Sequence, residues 1–243
     1  MTTDHWTAIT ELATRVSQQK TEDNHFHAVQ AQIAFATNIY NGLLEVCSGQ
    51  NGLAAEALLR TLFEVTASAI ILAKHRNKVT EFLKHGRLTE LRMMRVIEVP
   101  ALKERLAPTI AATEKEFQEL WAEFKEDRWH KMQTKQSFIE AEFQPGIYDR
   151  YYRRASAIAH GQPYETARGG KIEAGPIAWK NLSTGAANMA SLLMVLLLAI
   201  VNREFKLGLD EEIAQLQVEA DAPAQRHMDA IRKAVGIHQR PKR

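Results

Sequence analysis

The sequence predicts an all-α protein, a multi-helix bundle with two strongly buried central helices and a small Gly/Pro-rich connection. Three observations carry that expectation. Only 12 glycines and 7 prolines punctuate 243 residues. β-branched runs are scarce. Over long segments apolar residues recur every three or four positions, the period of one helix face.

Each element can be justified in turn. Thr3–Lys20 is a modest amphipathic opener. In the next segment Phe26, Val29, Ile33, Ala36, Tyr40 and Leu43 step by three and four until "SGQNG" (48–52) ends it. The helix from Leu53 to about Arg76 is apolar on almost every side, as a central bundle helix should be. Residues 78–98 and 101–127 follow, separated by Pro100. In the second of these Glu114, Glu116, Glu119, Glu123 and Glu126 alternate with Lys115 and Lys125, and read as solvent-facing. A further helix starts near Pro145. Residues 161–179 are a glycine- and proline-rich connection with a small hairpin expected around Gly169 and Gly170. Leu182–Phe205 is the second strongly buried helix. Residues 210–219 and 223–238 close the fold, and "HQRPKR" is a basic tail. No internal repeat or linker divides the chain. One helical domain over residues 1–243 is expected, with its core at about 25–205 and a C-terminal helical extension and basic tail at 206–243.

Composition narrows the function classes. The net charge is +2, from 31 basic and 29 acidic side chains, so no global field recruits nucleic acid. The single cysteine, Cys47, allows neither an intramolecular disulfide nor a cysteine-built zinc site. A reduced, cytoplasmic compartment is the expectation. The N-terminal stretch has no secretory pattern, and the apolar run from Met189 to Val201 falls short of the roughly 20 residues of a bilayer span. No membrane partner is therefore expected, and no DNA-binding motif is evident. His25 and His27 diverge on a helix and no His-Glu-x-x-His occurs, so neither a metal nor another cofactor is expected.

The stretch "YYRRASAIAHGQ" (151–162) concentrates the chemistry. Tyr148, Tyr152, Ser156 and His160 are spaced by four and line up along one helix ridge. Arg153 and His160 are two turns apart and share a face, whereas Arg154 points away unless the helix breaks at Gly161. His160 falls in the last turn, where the helix dipole favours an imidazolium. A second costly pair, Arg60 and Glu64 in "LLRTLFE", sits one turn apart with Leu53, Ala57 and Ile71 on its side. These two charges either pair with each other or line a cleft into which Arg153, Ser156 and His160 also point.

Two resemblances attach to these residues. The Arg-x(4–6)-His spacing, met by Arg154 or Arg153 with His160, resembles the signature of the HEPN superfamily of nucleotide-binding helical domains. Separately, Arg60/Glu64 with Tyr152/Ser156/His160/Gly161 is similar to the Arg-x3-Glu and Tyr-x3-Ser-x3-His-Gly helices of a family of uncharacterised bacterial all-helical proteins, over roughly residues 25–205. The HEPN resemblance implies a metal-independent endoribonuclease, a toxin or antiviral defence effector. Its site would be composite across a homodimer or with a partner protein. His160 would act on the RNA 2′-hydroxyl while Arg153 or Arg154 stabilises phosphate charge, chemistry that suits imidazole and guanidinium. The plainer readings are a helix-terminal histidine bonded to nearby carbonyls or to Tyr152 or Ser156, a register-fixing Arg60/Glu64 pair, and packing tyrosines. The alternative function is a non-enzymatic bundle that binds a small ligand or a partner protein through the Arg60/Glu64/His160 cleft.

Overall fold

The structure is a computed structural model that describes residues 3–125, 129–144, 146–160 and 176–219. Among them every regular element is helical. In chain order these are α1 (Thr3–Ser17), α2 (Asn24–Ser48), α3 (Gly52–Lys74), a 3₁₀ turn, α4 (Val79–Arg95), α5 (Pro100–Ala112), α6 (Glu114–Phe124) and α7 (Thr134–Glu140). A π-helical turn, Tyr148–Tyr152, runs directly into α8 (Arg153–Ala159). It is followed by α9 (Pro176–Phe205) and a last helix, α10, at 210–219. The expected hairpin at Gly169 and Gly170, the helix at 223–238 and the basic tail lie outside the described residues.

Local signals set the boundaries. Asp23 caps α2 by accepting from His25 N at 3.0 Å, and Arg76 then grips both oxygens of the same carboxylate at 2.8 and 3.1 Å. The exit of α3 is thereby tied to the entry of α2. Asn51 caps α3 through Ala54 N. Pro100 opens α5, where a missing N–H does no harm. The expected single helix at 101–127 is instead two, broken at Thr113. A helix over 134–140 appears where none was expected. Gly208, at φ +73°, makes the turn into α10, and Asn202 Oδ1 accepts from Leu209 N there at 2.9 Å.

The core is a sandwich of α2, α3 and α9. Leu59, Leu62, Phe63, Ile70 and Ile71 of α3 are fully buried, and Ala190, Met194, Leu197 and Val201 of α9 are as well. α1 covers α2 and α9, while α7, the π turn and α8 pack on the outer side of α3. The two apolar helices use their hydrophobic faces against each other within one chain. A homodimer would therefore need some other surface. By length and composition Leu182–Phe205 could cross a membrane, yet 67% of its most apolar stretch is buried, as befits a core helix.

Ser191, the one polar break in the apolar run of α9, accounts for Tyr40. The two hydroxyls meet at 2.9 Å inside the core, and Ser191 also lies 3.0 Å from Ala187 O. Burial pushes the Tyr40 phenol above its ordinary range. His25 is satisfied in the same way, through Nε2 to Leu72 O at 2.6 Å.

α4, α5 and α6 form a separate layer with a small core of Leu88, Leu91, Leu120 and Phe124. Its acidic residues do more than face solvent. Glu116 binds Arg87 through two hydrogen bonds at 2.9 and 3.0 Å, Glu114 binds Arg95 at 2.9 Å, and Glu123 binds Lys84 at 3.0 Å. Arg92 lies over Trp121 and Arg95 over Phe117, which adds cation–π attraction between the helices.

Candidate functional site: the α3/α8 seam

The helix carrying "RRASAIAH" does meet the helix carrying "LLRTLFE". What brings them together is an aromatic cluster. Tyr152 meets Phe63 edge-on at 6.1 Å and Phe138 at 4.9 Å, and Tyr148 stacks on Tyr152 at 5.4 Å. Phe138 and Phe143 flank Phe63 from the α7 side. The tyrosines are thus packing residues first, as the plainer reading expected.

The π turn sets the helix register. Arg153 N–H bonds Tyr148 O, five residues back, so one extra residue is spent before α8 begins. From there Tyr152 and Ala155 face the bundle. Arg153 lies about a quarter turn beyond Tyr152 and faces solvent, 69% exposed and 3.6 Å from Asp149. His160 shares that outer flank and is also exposed. It is the C-cap of α8, with its backbone N–H directed at Ser156 O and Ile158 O. Ser156 is half-buried between the two. Arg153 and His160 therefore do not point into the Arg60/Glu64 cleft; the bundle-facing side of the helix is Tyr152 and Ala155.

Tyr152 is what meets the cleft. Its hydroxyl donates to Glu64 Oε1 at 2.5 Å, and the same oxygen lies 3.5 Å from Arg60 Nη2. Burial, and then the Glu64 carboxylate, hold the Tyr152 phenol above its ordinary range, which keeps it a donor. The Arg60/Glu64 pair is less enclosed than its apolar neighbours suggested. Leu53 is largely exposed, and the two charged side chains are 29% and 31% exposed.

The buried charge lies one turn earlier. Glu56 is fully buried, and Arg154 reaches it from α8 with Nη2 at 2.5 Å from Oε1 and Nε at 3.3 Å from Oε2. Burial raises the Glu56 carboxyl above its usual range against the opposing pull of the Arg154 guanidinium. Sequence reading missed Glu56. The signal was present, since Glu56, Arg60 and Glu64 form an i, i+4, i+8 stripe on an otherwise apolar helix. Among the described residues no group of three His, Cys, Asp or Glu side chains could hold a metal ion.

These two helices also fall inside a family boundary. The family of unknown function DUF5677 matches residues 26–168. The chain belongs to the DUF5677 family. Neither a curated protein nor a solved structure matches it. The DUF5677 match takes in Arg60, Glu64, Tyr152, Ser156, His160 and Gly161, so the Arg-x3-Glu and Tyr-x3-Ser-x3-His-Gly helices both lie within it. Gly161 itself lies outside the described residues. In DUF5677 terms, the seam consists of Glu56 and Arg154 as a buried ion pair, Tyr152, Glu64 and Arg60 as a half-exposed triad, and Arg153 and His160 on the outer flank.

Proposed function

We propose that this DUF5677 protein is a HEPN-like, metal-independent endoribonuclease, a toxin or antiviral defence effector. The supporting observation is that Arg153 and the C-cap His160 are both exposed and lie two turns apart on the outer flank of α8. The buried contacts of Arg154 and Tyr152 hold that helix in place. The reaction is 2′-hydroxyl attack on the adjacent phosphorus. His160 takes the 2′ proton, the P–O5′ bond breaks, and a proton is delivered to the leaving 5′ oxygen. Arg153 balances the added phosphate charge. Of the two candidate arginines Arg153 suits this role, because Arg154 is committed to Glu56. Ser156, one turn before His160, orients the imidazole. A base and an acid are both required, so a second copy or a partner protein completes the site.

The decisive experiment is RNA cleavage by purified protein in EDTA. His160→Ala is expected to lower the rate at least about 100-fold and Arg153→Ala to lower it strongly, with circular dichroism unchanged in both. Replacing the scissile 2′-hydroxyl by hydrogen should abolish cleavage. Cleavage that requires a divalent metal, or that survives His160→Ala, would sink the proposal.

A second reading has its own observation. Arg60 keeps its side chain 29% exposed at the seam, one turn from the 31% exposed Glu64. A non-enzymatic bundle would use this group, with Glu64 and Tyr152, to hold a small ligand or partner-protein side chain. A ligand-dependent rise in melting temperature that Arg60→Ala removes, in a protein without RNA turnover, would select this reading.

A further inference from the structure

The α4–α6 layer carries a helix with almost nothing to hold it. Between Leu91 and Leu120 no residue is buried, and that stretch contains the whole of α5. Only Leu106 and Ile110 of α5 are half-buried; every other residue of the helix is exposed. Thirteen residues make a marginal helix in water. Pro108, inside it, also removes one backbone hydrogen bond. The corner that leads into α5 is apolar as well. Met93, Val96 and Val99 are 63%, 67% and 61% exposed, and Leu102 is 38% exposed. Four large apolar side chains facing water within ten residues of chain mark an interaction surface, not the scattered exposure of an ordinary monomer.

The charges identify what covers it. Elsewhere the layer pairs Lys84 with Glu123, Arg87 with Glu116 and Arg95 with Glu114. On the corner and α5, Glu98, Lys103, Glu104 and Arg105 stay exposed, and none has an ion-pair partner among the described residues. Two acids and two bases leave no net charge. RNA phosphate and anionic lipid both call for a cationic patch, so neither suits this surface. A second copy of the chain does suit it. Around a two-fold axis each protomer offers the same mixed set, and Lys103 and Arg105 of one copy can meet the acids of the other. The size agrees. A standard interface takes about 20–30 residues a side. The corner and α5, residues 93–112, sit at the lower edge of that range, which suits a reversible dimer.

We propose that the chain forms a two-fold dimer through α5 and the α4–α5 corner, with Met93, Val96, Val99 and Leu102 at its apolar centre and Glu98, Lys103, Glu104 and Arg105 around them. The α2–α3–α9 core stays closed within each copy. The dimer does not rest on the RNase reading, because its formation is measured without RNA. Sedimentation velocity of the full chain across the micromolar range should show monomer giving way to dimer, and Tm should rise with protein concentration. Val96→Asp and Val99→Asp should each weaken the dimer at least about tenfold. Ile139→Asp, on an equally exposed side chain of α7, should leave it unchanged. Lys103→Glu with Arg105→Glu should weaken self-association, as should Glu98→Lys with Glu104→Lys, and the two variants mixed should pair with each other. Their recovery together would show that both are folded. A chain that stays monomeric throughout, a dimer that survives Val96→Asp and Val99→Asp, or binding of the wild type to anionic vesicles in place of self-association would overturn the proposal.

Discussion

Glu56 and Arg154 show how much one residue's partner decides. A carboxylate with no exposure is tolerated because a guanidinium from another helix reaches it twice. Arg154→Ala would leave that charge buried alone and should cost about 3–5 kcal/mol, read from urea unfolding. Arg153→Ala, one residue earlier, should change stability by no more than about 0.5 kcal/mol, since its side chain stands in solvent. Adjacent arginines with opposite outcomes would separate the seam's structural half from its outer flank. A third substitution isolates the core hydroxyl pair. Tyr40→Phe should cost about 0.5–1.5 kcal/mol for the lost hydrogen bond to Ser191.

At the scale of elements, the short α7 and the π turn exist because of the ring cluster between them and α3. Seven residues make a marginal helix alone, and Phe138 supplies what propensity does not. It contacts Phe63, Phe143, Tyr148 and Tyr152. Phe138→Ala should cost about 3–5 kcal/mol and, because Tyr152 then loses its support, lower any activity that depends on α8. The α4–α6 layer is a different case. Its own core is four side chains, joined to the main body through contacts such as Phe82 against Trp129 at 5.4 Å. Its amides should exchange with deuterium well before those of α3 and α9. Equal protection across all these helices would show that the layer does not open independently.

At the scale of the molecule, one charge network ties the exit of α7 to the C-terminal ends of α3 and α9. Glu142 joins Arg203 of α9 through hydrogen bonds at 3.0 and 3.2 Å and Lys74 of α3 at 3.2 Å, while Glu140 meets His75 at 2.7 Å. The Arg203 guanidinium, helped by Lys74, holds the Glu142 carboxyl down to about 2. An acid whose folded pKa is depressed stabilises the fold fully above its unfolded value near 4.5 and loses that contribution as pH falls towards 2. Tm should therefore fall between about pH 5 and pH 2, and Glu142→Gln should flatten that limb. An identical acid limb in the variant would assign the loss to other carboxylates.

The sequence by itself determined the helical class and the two central helices. Hydrophobic period and the scarcity of breakers are local properties, and each residue carries them without knowing its neighbours in space. Tyr152, Glu64 and Arg60 were legible for the same reason, because four-residue spacing places groups on one face. Tertiary structure decided the rest. Whether Arg153 or Arg154 turned inward depended on a π turn, whose extra residue no spacing rule announces. Glu56 became a buried charge only when α8 delivered a guanidinium to it. α7 became a helix because Phe138 had Phe63 to pack on. Periodicity reports which face of a helix is apolar, and only packing reports what that face meets.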